Sequence, residues 1–194
     1  MSEATPRERM LAAVVQVALA EGIADKSLRA IAAAAGTSHR MLIHHFGSRE
    51  GLLVAVIKDV EERQRAIMAE VVTADPDQEP GTQEMRFWRH LRSPELAAQE
   101  RLFFEVYGQA LQGRPWARPL LDGIVTDWVS PVAALLAAEG VGPDLAQAVA
   151  RLYLAAGRGL LLDVLATGDH DGVDAAMGLL VELVYARLAP GAAM

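Results

Sequence analysis

The sequence predicts an all-α fold, with a short three-helix module at the N-terminus followed by a larger helical bundle. Three observations lead there. Just over half of the 194 residues are apolar and only 22% are charged, with Ala and Leu dominating, a balance that favours packed helices over disorder. Apolar residues recur at three- and four-residue spacing along most of the chain, and no credible strand pair, repeat or low-complexity tract interrupts them. The breaks are glycine, serine and proline, and they fall close together near the N-terminus and far apart later.

The first helix is expected from about Arg7 to Glu21, where Leu11, Val14, Val15, Ala18 and Leu19 form one stripe and Gly22 ends it. Ser27 caps a second helix that turns Leu28, Ile31, Ala32 and Ala35 inward. Gly36 suits the left-handed turn at its end, and Ser38 caps a third helix reaching Phe46, with Leu42 and Phe46 facing the core. Ser48 caps a fourth helix through Leu52, Leu53, Val56, Ile57 and Val60, reaching Val72. Thr73 to Thr82, with Pro76, Pro80 and Gly81, reads as a surface connection.

Further helices are expected over Gln83–Leu91, from Pro94 to Gln112, and over Trp116–Glu139, the last kinked or interrupted at Pro131. Two long helices close the chain, roughly Pro143–Ala166 and Gly172–Leu188, ahead of a frayed PGAAM tail. Val149 to Ala166 is very apolar but carries Arg151, Arg158 and Asp163, so it reads as a bundle helix and not as a membrane span. The N-terminal stretch is amphipathic, with Glu3 and Glu8 ahead of its apolar part, which argues against a signal peptide.

Composition narrows the function classes. The chain has no cysteine, which removes disulfides, thiol catalysis and thiolate-ligated zinc and fits a reducing, cytoplasmic setting. Its net charge of −7 excludes a generally basic nucleic-acid coat. The distribution is uneven, however. Residues 1–65 hold nine Lys/Arg against eight Asp/Glu, and the remainder holds nine against seventeen. Almost all the acidity lies outside the N-terminal third, which permits a DNA-facing end. No Gly-rich phosphate loop or Gly-x-Ser-x-Gly elbow appears, and GRGLLL at 157–162 follows no strand. Five scattered histidines make no metal site. The expectation is therefore no enzyme, no cofactor and no metal.

The informative segment is SLRAIAAAAGTSHRMLIHHFGSREGLLVAVI, Ser27 to Ile57. Two short helices joined by a tight Ala-Gly-Thr-Ser turn form a helix-turn-helix, in which the third helix turns its outer face to the major groove. Thr37, Ser38, His39, Arg40, Ile43 and His44 are the exposed candidates. Arg40 could reach guanine edges or a phosphate; Ile43 could meet a thymine methyl or simply pack.

This segment resembles the N-terminal domain of the TetR family of bacterial transcriptional regulators. Ile31-Ala32, Ala35-Gly36, Ser38, Leu42, His45-Phe46, Ser48, Glu50 and Leu52 match the family pattern in register, over about residues 10–57. Thr37 replaces a Val, Arg49 a Lys, Arg40 a small residue, and Ile43 the tyrosine that commonly touches the DNA backbone, so the contact set must differ. The resemblance implies DNA contacts from Ser27, Thr37, Ser38, His39, Arg40, Ile43, His44 and Arg49. For Ser27, Ser38 and Ser48 plain helix capping is the competing reading, for Arg49 a solvated charge, and His45 is expected to be structural.

The resemblance also implies domains at 1–50 (DNA-binding) and 51–194 (ligand-binding and dimerisation), linked by the fourth helix. An apolar effector chamber would be lined by Phe87, Trp88, Phe103, Phe104, Tyr107, Trp116, Trp128 and Tyr153. Arg158 would be a polar handle there; ordinary core, or an ion pair of Arg158 with Asp163, is the alternative. The last two helices are the expected homodimer surface, through Val149, Leu152, Ala156 and Leu160 on one and Val173, Met177, Leu180 and Val184 on the other. The implied function is a repressor that leaves a palindromic double-stranded DNA operator when it binds a small-molecule effector. A DNA-binding regulator without sensing, and a helical protein-interaction dimer, are the alternatives.

Overall fold

The computed structural model describes residues 4–73, 79 and 81–189. Among them the chain forms nine α-helices and no strand: α1 (Pro6–Glu21), α2 (Leu28–Ala34), α3 (His39–Phe46), α4 (Arg49–Thr73), α5 (Thr82–Leu91), α6 (Ala97–Leu111), α7 (Thr126–Ala138), α8 (Pro143–Thr167) and α9 (His170–Leu188). Short 3-10 turns at Pro94–Leu96 and Arg118–Leu121 precede α6 and α7. Most of the connection expected at Thr73 to Thr82, including Pro76 and Pro80, lies outside the described residues, as does the tail at 190–194.

Two compact units emerge: Met1–Gln64 with Pro94–Asp122, and Arg65–Ser93 with Gly123–Met194. In the first, α1 begins with a capping box. The Thr5 hydroxyl accepts from the Glu8 N–H at 3.2 Å while the Glu8 carboxylate accepts from the Thr5 N–H at 2.7 Å, satisfying two otherwise orphan donors. Leu11, Val14, Val15 and Ala18 of α1 are buried, as are Ile31, Leu42, Phe46, Leu52, Leu53, Val56 and Ile57. Two short helices with one buried apolar stripe each are not stable alone, so this shared core is what holds them. Packing of α1 also extends to α6, where Gly22 stands 3.9 Å from Ala98 at its absent Cβ position.

In the second unit, α8 packs along both α7 and α9, and α9 also carries α5. Val129 and Ala133 of α7 meet Ala146 and Ala150 of α8 in a core rimmed by Val125, Val132, Leu136 and Leu154. The small residues let the two helix axes approach closely. At the other side, Trp88 is 2% exposed and its indole N–H donates to Asp174 Oδ1 at 2.7 Å. Arg92 clamps the same carboxylate from two nitrogens at 2.5 Å, tying the end of α5 to the first turns of α9.

One expected helix is two elements. Trp116–Glu139 breaks after the 3-10 turn, and α7 begins only at Thr126. The reason is Gly123, at φ +79°, where a Cβ would collide with the Asp127 carboxylate. Pro131 lies inside α7 without ending it. The stretch 118–138 is apolar and long enough by composition to cross a bilayer, but this break divides it.

Candidate nucleic-acid interface

The helix-turn-helix is built by its caps. Ser27 Oγ accepts from the Ala30 N–H and Ser38 Oγ from the Met41 N–H, both at 3.2 Å, and Ser48 Oγ accepts from the Gly51 N–H at 3.0 Å. Each serine therefore satisfies an exposed helix-start amide. The turn between α2 and α3 closes through the Thr37 N–H on the Ala32 carbonyl at 2.9 Å and the Gly36 N–H on the Ala33 carbonyl at 3.2 Å. Gly36 has φ +66°, a left-handed backbone that glycine adopts without strain. That sharp turn lets α3 cross α2 and face outward.

On α3, Leu42 and Phe46 are buried, while His39, Arg40, Met41, Ile43 and His44 are exposed. The helix carries no acidic residue. The guanidinium of Arg7 lies 5.1 Å from the Phe46 ring centroid, a cation–π contact that fastens α3 to the start of α1. His45 is half-buried between His44 and Phe46. Its Nε2 is buried without a hydrogen-bond partner among the described residues.

Two expected DNA contacts are engaged within the protein. Arg49 donates from Nε to the Lys26 carbonyl at 2.9 Å and from Nη2 to the Ala24 carbonyl. Its guanidinium thus ties the α1–α2 loop to the start of α4, because that loop leaves carbonyls without helical partners. Thr37 is half-buried with its hydroxyl 3.9 Å from Met10 Sδ of α1. Met41 was missed by the sequence reading. Helical spacing from Leu42 and Phe46 could have found it, since it lies away from both.

The expected effector residues divide between the units. Phe103, Phe104, Tyr107 and Trp116 belong to the first, where the Phe103 ring lies 5.1 Å from Phe104 and 5.4 Å from Tyr107. Phe87, Trp88, Trp128, Tyr153 and Arg158 belong to the second, where Phe87 and Trp128 lie 6.1 Å apart and Arg65 sits 5.9 Å from the Trp128 centroid. Arg158 donates from Nη2 to the Ile124 carbonyl at 2.7 Å, just after the Gly123 turn. Tyr153 keeps a buried hydroxyl with no partner among the described residues. Burial first, and then the charge of Glu84, pushes its ionisation well above the usual phenol range. Tyr185 donates to Glu84 Oε1 at 2.9 Å; burial, and next the Glu84 charge, push its phenol up to about 12.

The expected pairing residues fare unevenly. Leu152 is exposed, and Ala156, Leu160 and Leu180 are half-buried, but Val149, Val173, Met177 and Val184 are buried within the chain itself. Helix α9 is apolar nearly all round, so its periodicity alone could not say which stripe faces inward. The outward residues are Leu152 and Leu162 on α8 and Leu179 and Leu183 on α9.

Residues 10–56 match the family model for bacterial regulatory proteins of the tetR family. The fold is similar to a transcriptional regulator from Rhodococcus sp. Rha1, at TM-score 0.72 and 20% identity, covering 93% of this chain and 96% of that one. It is also similar to a TetR-like transcriptional regulator from Rhodococcus sp. RHA1, at TM-score 0.58 and 27% identity over 98% and 100% of the two chains. The multidrug binding protein EbrR complexed with proflavin gives TM-score 0.59 and 28% identity over 90% and 98%. No curated protein matches the chain. The capped helix-turn-helix thus lies in a segment that matches the DNA-binding region of tetR-family regulatory proteins, and the fold as a whole is similar to that of TetR-like transcriptional regulators.

Proposed function

We propose that the protein is a cytoplasmic homodimeric repressor that holds a palindromic operator and releases it when a small-molecule effector binds. The carrying observation is the outer face of α3, where Arg40 and His44 stand exposed on a helix free of acidic residues and held by Ser38, Arg7 and a buried apolar side. Residues 1–50 serve as the reading domain and 51–194 as the sensing and pairing domain, with α4 as the link. Ser27, Ser38, His39, Arg40, Ile43 and His44 face DNA; Thr37 and Arg49 act from behind, as positioning residues.

Pairing is assigned to the outward stripe of α8 and α9. Leu152, Ala155, Gly159 and Leu162 repeat at heptad-like spacing on α8, and Leu179 and Leu183 lie one turn apart on α9; all six are exposed. A two-fold pair would set the two recognition helices about 34–36 Å apart, or near a multiple of the helical turn, which is what makes the operator palindromic.

Sensing is assigned to the aromatic residues. Those on α6 have a physical route to the head, since α6 packs against α1 in the same unit. A ligand that shifts α6 would therefore alter the platform on which α3 rests, and effector and operator would oppose one another reciprocally. In the second unit, which also carries Phe87, Trp88 and Trp128, Arg158 and Tyr153 are assigned as polar handles. Proflavin, held by the similar EbrR structure, is the first probe. Once calorimetry shows it bound, operator affinity should fall. Unchanged affinity with proflavin demonstrably saturating its site would contradict the sensing assignment, and a helix-turn-helix regulator without an effector would be the reading left.

A further inference from the structure

Helix α3 exposes two large apolar side chains that the capped fold does not need: Met41 and Ile43, each 39% exposed. Their placement is informative. With about 3.6 residues per turn, the buried Leu42 and Phe46 define the inner side of α3, and Arg40 and His44, one turn apart, lie opposite them. Ile43 falls on one flank of that Arg40–His44 ridge and Met41 on the other. The apolar pair therefore makes no continuous patch of the sort that another protein would cover. Its geometry is an Arg40–His44 ridge with an apolar wall on each side.

A major groove offers the complement. Guanine presents two acceptors, O6 and N7, to one arginine, while thymine presents a C5-methyl group and nothing charged. Resting on the operator-binding reading above, we propose that α3 reads a guanine flanked on both sides by thymine methyls, with Arg40 on the guanine, Ile43 on one methyl and Met41 on the other. The two apolar residues suit different tasks. Ile43 is branched at Cβ and holds one orientation, whereas Met41 is unbranched, polarizable and able to follow a methyl whose position shifts with local DNA shape. Met41, not Arg40, is the residue that this assignment adds.

The test uses the full-length protein and the DNA it selects from a random pool. Thymines beside the protected guanine are replaced one at a time by uracil, which removes only the methyl group. Wild-type affinity should fall about fourfold at each flank, the size expected for one buried methyl group. Met41→Ala should become indifferent to uracil at one flank and stay sensitive at the other. Ile43→Ala should show the reverse, and Arg40→Ala should lose the guanine preference. Both apolar positions are exposed, so the variants keep the wild-type helical spectrum. A selected site without flanking thymine, or a wild-type protein indifferent to uracil, would overturn the proposal while leaving operator binding intact. Folded protein that selects no sequence would overturn both.

Discussion

The outer face of α3 and the outward stripe of α8 and α9 both expose leucine-sized side chains, and they differ in what surrounds them. On α3 the exposed Met41 and Ile43 are separated by Arg40 and His44 and have no acid on their helix. On α8 and α9 the exposed leucines sit among alanine and glycine, with Leu179 at 56% and Leu183 at 60% exposure. Exposure alone does not identify a partner. An apolar stripe lined by small residues fits another copy of itself, where helix axes can come close. Apolar residues divided by a cation fit a surface that alternates methyl groups with acceptors.

The comparison breaks most decisively at α9. The double substitution Leu179→Asp and Leu183→Asp would place two charges in the proposed pairing stripe while leaving the buried stripe of Val173, Met177 and Val184 intact. Burying unpaired charges at an interface core costs at least about 2 kcal/mol each, so the dimer dissociation constant should rise by more than about a hundredfold. Sedimentation equilibrium would read this directly, and an unchanged dimer would place pairing elsewhere.

A second substitution sharpens the contrast between reading and support. Arg49→Gln removes the clasp on the Lys26 and Ala24 carbonyls and should cost about 1–3 kcal/mol of stability in the N-terminal unit. Denaturant unfolding would show it. If Arg49 positions rather than reads, as proposed above, operator sequence preference should persist in the variant even as affinity drops. A changed preference would return Arg49 to the reading set.

The anchor of α9 has a pH signature. Burial alone would raise the pKa of the Asp174 carboxyl, but the hydrogen bonds from Arg92 and Trp88, with the Arg92 and Arg89 charges, outweigh it and hold the pKa below its ordinary value of 3.8. A carboxyl depressed in the fold stabilises above its unfolded pKa and loses that contribution as pH falls through the folded value. Stability should therefore decline below about pH 4 in the wild type. Asp174→Asn should lose about 1–2 kcal/mol at neutral pH and show a shallower acid decline, measured by thermal unfolding across pH 2.5–7.

The smallest expected effect is at Tyr153. Its hydroxyl is buried with no partner among the described residues, so Tyr153→Phe removes a desolvated polar group and should leave stability unchanged or raise it by up to about 1 kcal/mol. Effector binding should weaken in the same variant if the hydroxyl is a ligand handle. Destabilisation by more than that amount would show that the group has a partner in the folded chain.

Most of the reading head was legible in the sequence because its signals are local. Ser27, Ser38 and Ser48 cap their own helices, and Gly36 supplies a turn that only its own backbone requires. Elsewhere the signals depended on partners remote in sequence. Arg49 was expected to contact DNA, or else to be a solvated charge, because the Lys26 and Ala24 carbonyls that hold it belong to a loop more than twenty residues earlier. Asp174 gave no sign of Arg92 or Trp88, over eighty residues away. The helix break at Gly123 was masked by the proline at 131, a stronger local signal in the wrong place. On α9 the inner and outer stripes are both apolar, so only packing could assign them.

The central claim is that α3 reads specific DNA as part of a paired protein. Selection of genomic fragments by purified full-length protein, at a stated near-physiological salt concentration, tests it most directly. The account predicts enrichment of one palindrome whose half-sites are spaced by about one helical turn or a multiple of it, with enrichment lost in Arg40→Ala. A folded wild-type dimer that enriches no sequence would contradict the account.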